Sequence, residues 1–426
     1  MGHRPDSFDA VLGFIVAAAI AFLLVPLTER LAKRVGAIDV PRERSLHELP
    51  TPKLGGLAIL AGVVIAGLIW LPGGEQTKAI LIGAAVIALF GVLDDIVELP
   101  AGPKLLAQTI AAIIPVQAGV KVGSFTLPFL GRVEPGSVNL FDAPLVGEVD
   151  IGFIVTVIGI VATINVINFI DGVDGLAAGV CVISGTTLAI VAVSLDRTGA
   201  GVLAAITAGG ALGFLRHGFP PASSFMGDTG SNLLGYLLAA VAMQGALKTN
   251  AVVALFFPLI VLAIPILDSS FVIAKRLKYR RPIYQGDRTH FHHRMAAIGF
   301  SQRRTLAYLY GWTLVLAALA LALRFVPYSD DHGNFDPAWT ALIVACGIAA
   351  AAASVYLVVV LEILKLKFLR RRQAGAAGAP LPADEIDRGV ARELETGTFE
   401  AVDSGTGEMR RVDPETDEFE AVGPGG

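Results

Sequence analysis

The sequence predicts an all-α polytopic membrane protein of about eleven transmembrane helices, its N-terminus outside, its C-terminus in the cytoplasm and its polar clusters on the cytoplasmic face. Three observations carry that prediction. Hydrophobic residues make up 54% of the 426 residues against 16% charged, and the mean hydropathy is +0.67; a soluble domain could not hide that much apolar surface. The apolar residues gather in windows near 10–27, 54–71, 79–93, 105–120, 152–170, 176–195, 200–216, 232–248, 251–274, 305–326 and 338–363, most of them close to the roughly 20 residues that cross about 30 Å of hydrocarbon. Lys and Arg are distributed unevenly, with seventeen in the segments after windows one, three, five, seven and nine and seven on the other side, and KLKFLRRR follows the last window. Positive loops stay in the cytoplasm, which fixes the orientation.

Taken in order, the first window lacks the charged n-region and small-residue cleavage site of a removable signal, so it reads as a retained helix. The second follows HELPTPKLGG (47–56), and the third ends GVLDDIVELPAGPK, with Lys104 opening the fourth. Residues 121–153 mix Gly, Pro and alternating apolar residues, the pattern of a short hairpin on the outer surface. The fifth window ends NVINFIDGVDGL, and FMGDTGS precedes the eighth. Cys181 and Cys346 both lie inside windows and predict packing, not a disulfide or a metal site. The membrane domain covers 1–372. From 373 to 426 the chain turns to Ala, Gly, Pro and acid, thirteen Asp or Glu against four Arg for a net −9, with FEAV at 399–402 and again at 419–422. That composition predicts a disordered cytoplasmic tail, with a docking peptide as the alternative.

The acidic residues hold the chemistry, because a carboxylate at a membrane face is costly and points to function. Asp94 and Asp95 stand side by side at the end of the third window. Adjacent carboxylates repel unless a cation sits between them or one is protonated, conditions that metal binding and general-base catalysis share; a solvated helix end is the plain alternative. Asn165, Asn168, Asp171 and Asp174 recur every third residue, each step about 60° out of alignment on a continuing helix. Gly172 and Gly175 imply that the helix stops, with Asn168 and Asp171 on its last turn and Asp174 in a tight loop. Oxygen ligands so placed suit Mg²⁺, whereas capping alone accounts for only one or two of them. Asp228, between Gly227 and Gly230, lets carboxylate and backbone both approach a phosphate or metal, and equally reads as a helix N-cap. In 275–304 three of the seven histidines, His290, His292 and His293, lie among nine Lys and Arg. No cysteine is near and the basic neighbours disfavour a bound cation, so HFHHR suits a nucleotide or pyrophosphate, while KRLKYRR fits a lipid-facing basic patch.

GVLDD followed by Lys104, NVINFIDGVDGL, FMGDTGS and DRTHFHHR, preceded by HELPTPKLGG, resemble in order and spacing the polyprenyl-phosphate N-acetylhexosamine-1-phosphate transferases over about residues 40–305. The DRTHFHHR form resembles the branch that moves N-acetylglucosamine 1-phosphate from its UDP sugar to undecaprenyl or decaprenyl phosphate at the start of cell-envelope polysaccharide synthesis. The sister branch of peptidoglycan synthesis, the phospho-MurNAc-pentapeptide transferases, typically shows three consecutive histidines where Phe291 interrupts them here, and so ranks second.

The resemblance implies a multi-pass enzyme of the cytoplasmic (inner) membrane with its catalytic loops on the cytoplasmic side. It implies that Asp228 and Asn168 hold Mg²⁺, with Mn²⁺ as an alternative, and that Asp94 or Asp95 takes the proton from, or orients, the lipid phosphate. Lys104 would meet phosphate charge, Asp171 and Asp174 would position metal or nucleotide, and Arg288, His290, His292, His293 and Arg294 would face the diphosphate or sugar. It leaves open whether a carboxylate first attacks phosphorus. The implied partners are polyprenyl phosphate, a UDP-sugar, membrane lipids and a second copy in a homodimer, with no nucleic acid. A secondary transporter would also place Asp and Asn at broken helices, but near the middle of spans; here the clusters sit at helix ends.

Overall fold

The computed structural model describes residues 5–41, 49–122, 125–127, 131–143, 147–246, 298–328 and 335–376, with isolated positions between 266 and 295 and, in the tail, 386, 390, 400–402 and 409–411. It divides into two compact units, one of Met1–Ile266 with Leu306–Gly347, the other of Leu267–Thr305 with Ile348–Gly426. Ten described helices carry the chain: α1 Ser7–Val35, α2 Gly56–Trp70, α3 Glu75–Val97, α4 Ala101–Gln117, α5 Ile151–Ile170, α6 Leu176–Ser194, α7 Thr198–Gly218, α8 Gly227–Ala246, α9 Gln302–Phe325 and α10 Pro337–Ala376. Seven are long and apolar enough to cross a membrane, namely α1, α3, α5, α6, α7, α9 and the Pro337–Tyr356 part of α10. Of the other four windows, 54–71 contains the 15-residue α2, 105–120 overlaps the 17-residue α4, the described part of 232–248 falls in α8, and 251–274 lies mostly outside the described residues. The chain is a helical, multi-pass membrane protein.

Packing within the first unit sorts these helices into inner and outer ones. The most apolar stretches of α6 and α7 are 72% and 78% buried, against 28% for α1 and 33% for α5, so α6 and α7 are sheathed by protein while α1 and α5 turn one face outward to lipid. α1 lies along α7 and α2, α3 along α8 and α4, and α5 along α8. Between Leu233 and Ala240 of α8 almost every side chain is inaccessible, and the Tyr236 hydroxyl donates to the Ile80 carbonyl at 3.1 Å, so the buried phenol is satisfied. Small residues make the close crossings: Gly209 and Gly213 of α7 lie against the backbone of Phe14 and Ala18 of α1, and Gly62 of α2 against that of Ala17, where a Cβ would clash, the usual device where lipid supplies no hydrophobic drive between helices.

The ends are capped by sequence. Asp6 accepts from the N–H groups of Phe8 and Asp9 while Asp9 accepts from Asp6 N–H at 2.8 Å, a reciprocal cap on α1. Asp150 caps α5 through the Phe153 N–H at 2.6 Å and pairs with Lys121. The segment expected to hold one hairpin holds two, β3 Phe125–Leu127 with β4 Gly131–Val133 and β5 Asn139–Ala143 with β6 Gly147–Asp150, both antiparallel. A short pair, β1 Ile38–Asp39 with β2 Thr51–Pro52, joins α1 to α2. In the second unit the described residues of the tail include an antiparallel pair, β7 Glu400–Val402 with β8 Met409–Arg411, and buried Ile386 and Val390. The expected boundary at 372/373 falls inside α10.

Candidate active site

Four helix ends meet at one place in the first unit. α3 brings Asp94 and Asp95 in its last turn, α4 brings Lys104 in its first, α5 brings Asn168 just before its end, and α8 opens with Gly227 and Asp228. Two carboxylates at a helix C-terminus face the negative end of its dipole, so that position demands a cation. Lys104 supplies it: its Nζ lies 2.6 Å from Asp94 Oδ2 and 2.9 Å from Asp228 Oδ2, bridging two helices. Asp94 Oδ1 accepts from Leu99 N–H at 2.7 Å, and Glu98, in the left-handed region at φ 50°, turns the chain out of α3 towards Pro100.

The adjacent aspartates divide the work. Asp95 Oδ1 accepts from Asp228 N–H at 2.9 Å, and Oδ2 accepts from Thr229 N–H at 3.1 Å and Thr229 Oγ1 at 2.7 Å. It therefore caps α8 from another helix, meeting donors that no residue of α8 itself satisfies. Gly227 (φ 64°) permits this, since a Cβ there would collide with the Asp95 carboxylate, and Gly91 lets α3 lie against the Thr229 backbone. β2 and the residues after it hold the same loop: Pro52 C=O accepts from Phe225 N–H at 2.8 Å, while Gly55 N–H and Gly56 N–H donate to the carbonyls of Phe225 and Met226 at 2.9 and 3.0 Å. The described part of the HELPTPKLGG segment thus reaches the start of α8 through the backbone of Pro52, Gly55 and Gly56.

Asn168 Nδ2 donates to Asp228 Oδ1 at 2.7 Å and to Ser231 Oγ at 2.9 Å. It is the amide nitrogen, not the oxygen, that meets Asp228. α5 ends at Ile170, so Asp171, expected on the last turn, is instead the residue that caps it, while Asp174 lies in the tight loop that Gly172 and Gly175 predict, with Gly175 at φ 77°. Asp174 Oδ2 accepts from Ala222 N–H at 3.1 Å. Desolvation, then the charges of Asp228, Asp95 and Asp174, push the Asp171 carboxyl well above the ordinary carboxylate range.

Of the expected site residues, Asp94, Asp95, Lys104, Asn168 and Asp228 form one bonded cluster, and Asp171 and Asp174 flank it. Arg288, His290, His292, His293 and Arg294 lie outside the described residues. Sequence reasoning assigned nothing to Thr229, Ser231 or Tyr310, whose hydroxyl donates to the Gly175 carbonyl at 2.6 Å and pins the 171–175 loop to α9. Thr229 and Ser231 lie inside FMGDTGS, where hydroxyls beside a helix start are a legible signal; a lone tyrosine inside an apolar window is not. Among the described residues no three His, Cys, Asp or Glu side chains converge as a metal cluster. The carboxylates of Asp94 and Asp228, both paired with Lys104, are hard oxygen donors of the kind Mg²⁺ takes beside water and substrate phosphate, whereas the Asn168 amide, whose nitrogen faces Asp228, would have to turn to offer its oxygen.

A bonded cluster of Asp, Lys and Asn at converging helix ends of a polytopic protein is the setting of an enzyme acting at the membrane surface on anionic, phosphate-bearing groups. The chain belongs to glycosyl transferase family 4, whose family model matches residues 77–246. It is 37% identical over 317 residues to a probable undecaprenyl-phosphate N-acetylglucosaminyl 1-phosphate transferase of Bacillus subtilis, covering 73% of this chain and 84% of that one. It is 32% identical over 371 residues to the decaprenyl-phosphate N-acetylglucosaminephosphotransferase of Mycobacterium tuberculosis, covering 80% and 86%. A phospho-N-acetylmuramoyl-pentapeptide-transferase of Desulforudis audaxviator is 34% identical over 346 residues, covering 75% and 98%.

Proposed function

We propose that this chain transfers N-acetylglucosamine 1-phosphate from UDP-N-acetylglucosamine to a polyprenyl phosphate, giving polyprenyl-diphosphate-N-acetylglucosamine and UMP. The observation that carries this reading is the junction of Asp94, Lys104, Asn168 and Asp228 at helix ends. An acceptor with its isoprenoid tail in lipid and its phosphate at the interface would meet a water-soluble nucleotide sugar there. The Lys and Arg asymmetry supports placing that face in the cytoplasm, with the N-terminus outside.

In the reaction a lipid phosphate oxygen bonds to the sugar-bearing phosphorus, the bond from that phosphorus to the bridging oxygen breaks, and UMP leaves with the electron pair. Both reactants are anions, so their approach requires positive charge and preorganised donors. Lys104 supplies an ammonium that can exchange a carboxylate partner for phosphate. Asp94, released from that pairing, accepts or orients the remaining proton of the lipid phosphate. Asp95 and Thr229 hold the first turn of α8, so that Asp228 keeps its place and the helix N-terminus faces the diphosphate. A divalent cation, Mg²⁺ in this reading, would be held by Asp228 with Asn168 and would neutralise diphosphate charge. Asp171 and Asp174 border the nucleotide side of the site, and the Arg288–Arg294 segment contributes its cationic groups to the diphosphate or sugar.

The test is UMP release by purified protein with undecaprenyl phosphate, with and without Mg²⁺, offering UDP-N-acetylglucosamine, UDP-N-acetylgalactosamine and UDP-MurNAc-pentapeptide in parallel. Lipid-dependent and Mg²⁺-dependent UMP from the first donor alone is the expected result. Turnover with only the pentapeptide donor moves the chain to the peptidoglycan branch, and no UMP from any donor with folded protein ends the transferase reading.

A further inference from the structure

One turn inward from the acidic junction lies a second polar contact that the proposed chemistry does not use. Gln108 follows Lys104 by four residues on α4, and Asn165 precedes Asn168 by three on α5, so each lies on the face of its helix that carries the site residue. Asn165 Nδ2 donates to Gln108 Oε1 at 2.7 Å and to the Val161 carbonyl at 2.8 Å, and Gln108 Nε2 donates to Asn165 Oδ1 at 3.4 Å. The pair is reciprocal, and both hydrogens of the Asn165 amide are engaged. Gln108 is 4% exposed, and inaccessible Ala111, Ala112, Ile164 and Ile167 neighbour the pair along the two helices.

Amides so placed are costly unless bonded, and a pair of leucines would fill the space without that cost. What leucines lack is direction. A reciprocal amide pair fixes two helices both along and about their axes, because a slip of one residue, about 1.5 Å of rise and 100° of rotation, breaks both bonds. α4 needs such a pin. It is short, is entered through Pro100, has Gly102 and Pro103 in its first turn and Pro115 near its end, and carries the ammonium that must reach carboxylates on two other helices. A lysine stem is flexible, so where its ammonium rests depends on where its backbone is held.

We propose that Gln108 and Asn165 are a positioning pair that sets the register of α4 against α5 and thereby holds the Lys104 ammonium between Asp94 and Asp228. Neither amide is assigned to substrate. The inference rests on the transferase reading only where activity is measured, so the first readout needs no turnover: amine-reactive labelling of Lys104 in the full-length protein, followed by mass spectrometry. Gln108→Leu and Asn165→Leu are expected to speed labelling of Lys104 by about five- to tenfold, the scale of one interhelical hydrogen bond in a membrane, with the exchanged pair Gln108→Asn with Asn165→Gln restoring protection. The second readout is UMP release. Gln108→Leu is expected to lower kcat by a similar factor and to add no further loss in a Lys104→Met background, because its effect passes through Lys104. Unchanged labelling in folded leucine variants, or an equal fold-loss with and without Lys104, overturns the proposal. Should single variants fail to fold, the exchanged pair decides by its labelling rate: wild-type protection supports the pin and fast labelling overturns it. A wild-type protein that labels slowly but releases no UMP would fail the transferase reading while leaving the pin standing.

Discussion

Asp94 and Asp95 are neighbours in the chain with different surroundings, and their substitutions should separate. Asp94→Asn removes a charge paired with Lys104 while leaving the Leu99 N–H an acceptor; Asp228→Ala removes the carboxylate shared by Lys104 and Asn168. Both are expected to lower UMP release at least about 100-fold, with a melting temperature close to wild type. Asp95→Ala strips the acceptor from two buried N–H groups and a hydroxyl at the start of α8, at about 1–3 kcal/mol for each unsatisfied group. It should therefore lower the melting temperature as well as activity, and a variant that melts like wild type would remove Asp95 as the cap. Asp171 should behave in the opposite sense. Its folded pKa is raised, so the stability linked to its protonation is present below the ordinary value of 3.8 and is lost as pH rises through the folded value. Asp171→Asn is expected to raise the melting temperature at pH 8 by about 2–4 °C, with a smaller gain at pH 5, while activity falls. The charges themselves were legible in the sequence, because carboxylates at the ends of apolar windows have few innocent explanations. Which of two adjacent aspartates caps another helix was not, since a DD pair has no direction until α8 is laid beside α3.

At the scale of elements, the end of α5 was readable because Gly172 and Gly175 forbid a continuing helix, and the structure stops α5 at Ile170. The partner of Asn165 was not readable: Gln108 is one polar residue in an apolar window, and only the packing of α4 on α5 gives it meaning. The start of α5 yields a pH prediction. Burial by itself would raise the Asp150 carboxyl, but the Lys121 ammonium and the Phe153 N–H prevail and hold it below the ordinary value of 3.8. The linked stability is present above that value and is lost as pH falls through the depressed folded one. Asp150→Ala is thus expected to cost about 1 kcal/mol at pH 7, the scale of an N-cap, and the gap between variant and wild-type melting temperatures should close as acidification protonates the wild-type carboxyl. A gap that persists then would assign the loss to packing instead of charge.

For the whole molecule, composition gave the class and the windows gave the helices, but length alone could not say which helices face lipid. α6 and α1 are similarly apolar by sequence, and they differ because α7 and its neighbours enclose one and leave a face of the other bare. The stretch from Pro52 to Gly56 shows the same limit, since it contributes backbone hydrogen bonds, and the need for Gly55 and Gly56 appears only once Phe225 and Gly230 are packed against them. The proposed reaction assigns the acidic tail no step. Deleting residues 373–426 is therefore expected to leave UMP release in detergent within about twofold of the full chain; a larger loss would give the tail a part in catalysis.

Lys104 has a consequence for how such a site comes into being. An ammonium standing between two carboxylates means that the junction carries its own counter-ion, so α3, α4 and α8 can come together during membrane insertion without waiting for metal or nucleotide. In the proposed reaction, substrate phosphate would then displace one carboxylate from Lys104. Stripping divalent cations should silence turnover yet leave the melting curve where it was, which would make loading reversible and independent of folding.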